Sequence, residues 1–536
     1  MQRRPPNVLL ILTDEERYPP IYEDDDLRRF RREQLPGQQR LRARGTEFHR
    51  HHAASSACVP SRASLFTGHY PTLHGVRATD GAAKAANDPA MVWLEANTVP
   101  TLGHYFRAAG YRTHYRGKWH ITHADLLAPD TRAPLASSDD QGVPIPDISA
   151  LYRAAERLDL HGFAGWVGPD PHGSARANCG KLRDPLFGDQ LDALFADLES
   201  QDPGAPWLTV ASFVNPHDIV LYGLLWASWG FDFDDPSVPD VPEPPTQHES
   251  LRHKPSCQAD FVAKYRKVFL PQPQLPSYRR FYYYLHKLVD LQVARLLRRL
   301  EASRFRDDTI IVYTSDHGEM LGAHGGMHQK WHNAYDETIR VPLLVAGPGV
   351  PAGARVDHLS SHVDLLPTLL GLAGQDPVPL RARLAERFTE AQPLVGRDLA
   401  PLARGRHQDD APVYFMTEDE VSEGLDQTTA IGRPYEAVDE PAKVEAVLAR
   451  LDLGAGPRLW KYTRAYERSQ IGDPEDAPRL AGRSEHELYD LESDPLEVQN
   501  LARLGARTHD SRAAEERLAA LLVGQRTQKA LHPRRR

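Results

Sequence analysis

Acidic residues, imidazoles and lysines recur where apolar, β-rich runs end, and a lone cysteine opens a further segment. Asp14-Glu15 follows the run Asn7 to Thr13 directly, and Ser315-Asp316-His317-Gly318 follows Thr309 to Thr314. Lys118-Trp119-His120 comes just after Tyr111 to Arg116, and Asn215-Pro216-His217-Asp218 just after Trp207 to Val214. Asp14, Glu15, Asp316 and His317 would suit a hard divalent cation, because carboxylates supply the oxygen donors such ions prefer. Taken singly, each acid could equally cap a following helix; acids at two separate strand ends favour a shared ligand.

The segment Cys58-Val59-Pro60-Ser61-Arg62-Ala63-Ser64-Leu65-Phe66-Thr67-Gly68 reads as a turn entering a helix. Pro60 fixes φ in the first turn, Ser61 is available as a cap, and the helix N-terminus beside Cys58 favours an anion. Periodicity alone makes Cys58 a buried structural cysteine. Lys118 and Lys330, taken singly, are ordinary surface charges, and His120 a structural histidine.

The elements that must position these groups follow a βαβ rhythm. The four runs above and a fifth, Val341 to Ala346, alternate with helical patterns at Thr98 to Ala109, Phe187 to Leu198, Arg279 to Leu300 and Val363 to Leu372. They predict an α/β fold, a large mostly parallel sheet sandwiched by helices over 1–400, with ligands at the carboxyl ends of the strands. Ala128 to Pro146 and Phe231 to Pro245 have neither period and are read as long loops. The aromatic residues Trp226, Trp229, Phe231 and Phe233 could line a substrate wall or form a satellite core. Over 401–536 a small C-terminal α+β subdomain is expected. It would combine short strands at Val413 to Met416 and Arg458 to Tyr462, an acidic turn-rich stretch from Glu485 to Asn500, and a helix near Ala513 to Leu522.

The 536 residues are 41% apolar and 26% charged, as in a folded enzyme, and the formal charge is −9. Basic clusters occur only at the ends, Gln2-Arg3-Arg4 and Pro533-Arg534-Arg535-Arg536, which argues against nucleic acid as a partner. An anionic substrate would therefore be attracted locally. Three widely spaced cysteines, Cys58, Cys179 and Cys257, make poor material for a disulfide framework. The first apolar run is too short for a signal peptide and no run is long enough for a membrane span, so a cytoplasmic protein with no membrane partner is expected.

Cys58, Pro60 and Arg62, followed by Thr67-Gly68, Pro71 and Gly75, resemble the signature of the type I sulfatases, in the alkaline phosphatase-like superfamily. The resemblance extends in order through Gly117-Lys118-Trp119-His120, Asn215-Pro216-His217, Ser315 to Gly322, Arg340-Val341-Pro342-Leu343 and Glu487 to Leu491. It implies that a maturation enzyme oxidises Cys58 to formylglycine, and that one divalent metal is held by Asp14, Glu15, Asp316, His317 and the modified residue 58. Glu15 stands where the family often has Asp, and His317 where many members have Asn. Choline sulfatases and phosphonate monoester hydrolases of the superfamily also carry Asp-His there. Calcium is the first choice, and the imidazole makes manganese, or magnesium, the alternative.

The resemblance further implies hydrolysis of sulfate monoesters to alcohol and inorganic sulfate. A hydroxyl of the formylglycine hydrate attacks sulfur, with Asp316 assisting its deprotonation. Arg62 supports the hydrate, Lys118 and Lys330 hold the sulfate and leaving oxygens, and His217, with Lys330 assisting, protonates the alcohol. His120 is the base that releases sulfate from the sulfated hemiacetal. His328 and His332 are too close to Lys330 for the sequence to say which of the three points inward, and His324 and His328 are read equally well as solvated loop residues. The main rival is a phosphonate monoester or phosphodiester hydrolase of the same superfamily, which carries hydroxyl residues in place of the Lys-x-His pair. A non-catalytic anion- or metal-binding relative ranks lower.

Overall fold

The computed structural model describes residues 4–534 except 82, 202–203, 269–274, 430–431, 455 and 468–482. Gln2, Arg3, Arg535 and Arg536 of the basic ends lie outside the described residues. The main sheet comprises β1 (Asn7–Asp14), β2 (Gly45–His52), β3 (Arg112–Gly117), β4 (Trp207–Pro216), β5 (Thr309–Ser315), β6 (Leu343–Ala346) and β7 (Ala354–Ser361), in the order β3-β4-β1-β5-β6-β2-β7. β3, β4, β1 and β5 run parallel, β6 is antiparallel to both neighbours, and β2 pairs parallel with β7.

Burial on both faces explains why β1 is apolar throughout rather than alternating. Val8, Leu10 and Leu12 meet one core, with Ala63 and Phe66 of the helix Cys58–Thr67, Phe106 of Leu102–Ala108, and Leu366 and Leu369 of Leu365–Leu372. Leu9 and Ile11 meet the opposite core, built from the helices Pro36–Arg44, Gly180–Ser200 and Pro276–Glu301. The predicted strands and helices therefore stand, with ends shifted by up to seven residues, as at the helix that begins at Gly180; β2 and β7 were not predicted.

A second, wholly antiparallel sheet, ordered β11-β10-β9-β8, contains β8 (Val413–Thr417), β9 (Lys443–Asp452), β10 (Pro457–Tyr466) and β11 (Ser484–Asp490). One face holds the helix His509–Lys529 through Ala514, Leu518 and Leu522. The other packs Phe415, Ala446 and Leu448 in one cluster with Met327, Trp331 and Tyr335. This C-terminal subdomain thus presses on the segment that carries Lys330. The first part of the stretch expected to be turns, from Glu485 to Asp490, is strand β11, paired with β10. Trp226 is buried against Phe281, with Trp229, Phe231 and Phe233 beside it, so these aromatics form a satellite core. Among the described residues no helix is long and apolar enough to cross a membrane, and all three cysteines are free and buried.

Many imidazoles are buried without charge. Burial holds the rings of His52, His69 and His74 down at about 3, about 4 and about 3. Each lies below the unfolded value of about 6.5, so the unfolded chain binds more protons below that pH. Their contribution to stability is complete above about pH 6.5 and is lost progressively as the pH falls to about 3. The thermal unfolding midpoint, followed by circular dichroism, is expected to drop across that interval; a flat midpoint there would contradict the assignment.

Candidate functional site

Strand register brings the site together. Gly117 pairs with Ser212, Ser212 with Leu12, and Leu12 with Thr314, so Lys118, Asp14 and Asp316 leave the sheet at one edge. A Cβ at Gly117 would stand 1.8 Å from the Ser212 carbonyl oxygen, and φ is +105°, so the turn into Lys118 demands glycine. Glu15 follows with φ of +68°, a left-handed conformation fixed by Tyr282, whose hydroxyl donates to the Glu15 carbonyl at 2.6 Å.

Cys58 opens the helix Cys58–Thr67, every residue of which is buried. Ala57, with φ of +66°, occupies the N-cap; Ser61, expected as a cap, lies inside the helix and donates its hydroxyl to the Asp316 carbonyl. Arg62 is one turn beyond Cys58 and shares its face. Its guanidinium donates to Asp316 Oδ2 at 2.8 Å, Asp14 Oδ2 at 3.0 Å, the Lys118 carbonyl at 2.9 Å and Ser212 Oγ at 3.0 Å. Lys118 Nζ lies 2.6 Å from Asp14 Oδ2. Burial works to raise the Asp14 carboxyl, but the cations Lys118 and Arg62 hold it well below the usual carboxylate range.

The Cys58 sulfur stands 3.6 Å from Asp14 Oδ1 and 3.2 Å from His317 Nε2. Burial, then Asp14, pushes its thiol up to about 12, so the unmodified side chain would be a protonated and poor nucleophile. His317 gives its Nδ1 proton to the Gly318 carbonyl at 3.0 Å, which leaves the Nε2 lone pair facing the centre. Burial lowers this ring to about 4, so it is neutral at physiological pH, as a ligand must be. Asp316 Oδ1 accepts from the backbone N–H groups of Glu15 and His317, at 3.1 and 2.9 Å.

Lys330 Nζ reaches Glu15 Oε2 at 3.3 Å, and His217 Nε2 lies 4.0 Å from the same oxygen. Burial raises the Glu15 carboxyl well above its ordinary value, with Lys330 opposing and Glu319 adding to the rise. The neighbours of Lys330 point elsewhere: Trp331 donates to Asp419 at 2.9 Å, His332 meets the Ala442 carbonyl at 3.1 Å, and His328 stacks on Tyr265. Left-handed backbone at Gln329 and His332, φ of +65° and +62°, produces this alternation. His324 and His328 are buried, not solvated; His324 bonds Glu249 at 2.9 Å, and burial lowers His328 to about 4.

His120 stands apart from this cluster. Its Nε2 bonds Asp80 Oδ1 at 2.8 Å, and the other Asp80 oxygen lies 3.3 Å from His172 Nε2. Neither Asp80 nor His172 was found from the sequence, because each lies in an irregular stretch with no adjoining motif.

Ligand atoms of Asp14, Cys58, Asp316 and His317 all lie within 4.8 Å of one another, and Asp14, Glu15 and His217 form an overlapping set. Glu15 Oε1 is buried with no hydrogen-bond partner among the described residues, as expected for an oxygen meant for an ion. Carboxylate oxygens with one imidazole fit a hard or borderline divalent cation.

A cation-lined, carboxylate-rich pit thus lies at the carboxyl edge of a seven-stranded, mostly parallel sheet with an appended antiparallel sheet, a fold shared with solved sulfatases. The sulfatase family profile matches residues 6–375, and the chain belongs to that family of sulfuric ester hydrolases. It is 26% identical over 480 residues to a choline-sulfatase of Rhizobium meliloti, covering 87% of this chain and 77% of that protein. A solved 2-O GAG sulfatase superposes with TM-score 0.63 at 23% identity, covering 98% of this chain and 93% of the other. The phosphonate monoester hydrolase of Agrobacterium radiobacter gives 0.60 at 20% identity, covering 98% and 96%.

Proposed function

We propose that the protein hydrolyses sulfate monoesters, with Cys58 converted to formylglycine as the side chain that attacks sulfur. We also propose one divalent cation, calcium first and manganese second, held by Asp14, Glu15, Asp316, His317 and residue 58. The observation that carries this reading is the convergence of Arg62, Lys118 and Lys330 with those carboxylates around a buried residue 58. Bound there, the cation would polarise the attacking and sulfate oxygens.

Arg62, fixed by Asp14 and Asp316, supports residue 58. Lys118 and Lys330 are the donors for the sulfate and leaving oxygens. Despite the burial that opposes its charge, Lys330 is held protonated by the surrounding carboxylates of Glu15, Asp14 and Asp316. His217 is held neutral by burial and Lys118, so it gains its proton only when the anionic ester enters, and the two side chains together protonate the leaving alcohol. His120 takes a proton from the second hydroxyl at residue 58, and sulfate departs with the bonding electron pair.

A sulfate ester offers three non-bridging oxygens to the cation, Lys118 and Lys330; a phosphonate replaces one with carbon, which accepts no hydrogen bond. Loss of one such contact corresponds to about 100-fold in rate. An aryl sulfate is therefore expected to exceed the matching aryl phosphonate in kcat/KM by about 100-fold or more, measured side by side. Faster phosphonate turnover would overturn the assignment in favour of the phosphonate hydrolase reading.

A further inference from the structure

His120 is constrained from several sides. Its backbone has φ of +53°, and the Asp170 carboxylate accepts from the N–H groups of Trp119 and His120 at 2.8 and 3.0 Å. The carbonyl of Lys118, two residues earlier, accepts from the Tyr115 hydroxyl at 2.6 Å. The ring itself is 2% exposed as part of the residue and packs against Trp93 and His172, at centroid distances of 6.2 and 4.7 Å. Such convergence on one strained residue marks a position where the placement of a ring matters.

The ring has two nitrogens, and their surroundings differ. Nε2 meets a carboxylate oxygen, so in the neutral ring it must carry the proton. Nδ1 is then the lone pair, and it is buried with no hydrogen-bond partner among the described residues. Asp80 lies in the irregular stretch after the helix Pro71–His74 and is itself buried, with its second oxygen 3.3 Å from His172 Nε2. Burial works to raise this carboxyl, but His172 and His120 hold it well below the usual carboxylate range, so it stays ionised. The charged or titratable groups acting on the His120 ring are Asp80, His172 and Lys118, and Asp170, Asp125 and His123 line the same cavity.

We propose that Asp80, its other oxygen 3.3 Å from His172 Nε2, is the positioning residue that holds His120 with the proton on Nε2, making Nδ1 the proton-accepting atom. This rests on the reading of His120 as the base of sulfate release. An ionised partner at Nε2 also stabilises the imidazolium formed when Nδ1 takes its proton, as a buried carboxylate does for other catalytic histidines. His172 Nε2 approaches the second Asp80 oxygen at 3.3 Å, and its own side chain is 29% exposed.

Four readouts test this. Nitrogen NMR of protein with labelled histidine, the His120 signal being the one absent in His120→Gln, is expected to show Nε2 protonated in the unsubstituted protein. In Asp80→Asn that preference is lost, because the amide can accept or donate. In rapid-mixing kinetics with an aryl sulfate, Asp80→Asn is expected to keep the first release of phenol but slow later turnovers by about 100-fold. Sulfated peptide containing residue 58 should then be trapped and visible by mass spectrometry. His172→Gln removes a ring whose charge, when it carries a second proton, opposes protonation of His120, so the acid limb of the turnover profile should move to higher pH. Asp80→Asn should move it the opposite way.

A proton found on Nδ1 in the unsubstituted protein overturns the proposal even if Asp80→Asn fails to fold. So do an unchanged tautomer in Asp80→Asn, or shifts of the same sign in the two variants. If His120→Gln accumulates sulfated enzyme and Asp80→Asn does not, the positioning role fails alone. If neither accumulates it, the base role assigned to His120 fails with it.

Discussion

Cys58→Ala is expected to lower kcat towards aryl sulfates by about 100,000-fold or more, the scale on which loss of a nucleophile is felt. The substitution removes one atom from a fully buried position. Among the described residues that sulfur has two hydrogen-bonding neighbours, Asp14 Oδ1 and His317 Nε2, and no backbone group. The cavity created is smaller than a methylene group, with a stability cost of about 1 kcal/mol or less. Arg62, Lys118 and Lys330 keep their carboxylate partners, so binding of a sulfate ester should persist while turnover disappears. Steady-state rates, with thermal unfolding as the control, check this; activity within about 100-fold of the unsubstituted protein would mean that residue 58 is not the nucleophile.

Arg62→Met has the second large effect, on stability. The guanidinium is fully buried between Asp14 and Asp316, 3.0 and 2.8 Å from their oxygens. Methionine fills much of the same volume but removes the charge that faces both carboxylates, and breaking a buried pair in this way costs about 3–5 kcal/mol. In metal-free protein, chemical denaturation should show a loss of that order. Added calcium or manganese is expected to recover part of it, because a cation bound to the native carboxylates shifts the folding equilibrium by mass action. A loss below about 1 kcal/mol, or no response to either ion, would contradict the placement of Arg62 between two ligand carboxylates.

The sheet was legible wherever the hydrophobic effect dictates sequence directly. β1, β4 and β5 are buried on both faces and therefore read as continuous apolar runs. β2 was missed because its sequence, Gly-Thr-Glu-Phe-His-Arg-His-His, buries histidines that bond to Ser360 rather than alternating apolar residues. β11 was taken for turns because its polar residues are satisfied internally, Glu487 by Tyr335 and Gln258.

The site shows the same division. Asp14, Lys118 and Asp316 could be found because they end strands whose register aligns them. The choice among His328, Lys330 and His332 could not, since it depends on left-handed backbone at two non-glycine residues and on anchors, Asp419 and Ala442, supplied from more than eighty residues away. Asp80 and His172 left no local signal at all; only the folded chain brings them to His120.

The central claim concerns the chemistry of residue 58, and mass spectrometry of the peptide containing it, from protein made in its own host, tests that claim most directly. The expected result is an aldehyde in place of the thiol, captured by a hydrazine probe. A peptide recovered wholly as cysteine, alkylated by iodoacetamide and unreactive towards hydrazine, would remove the proposed nucleophile.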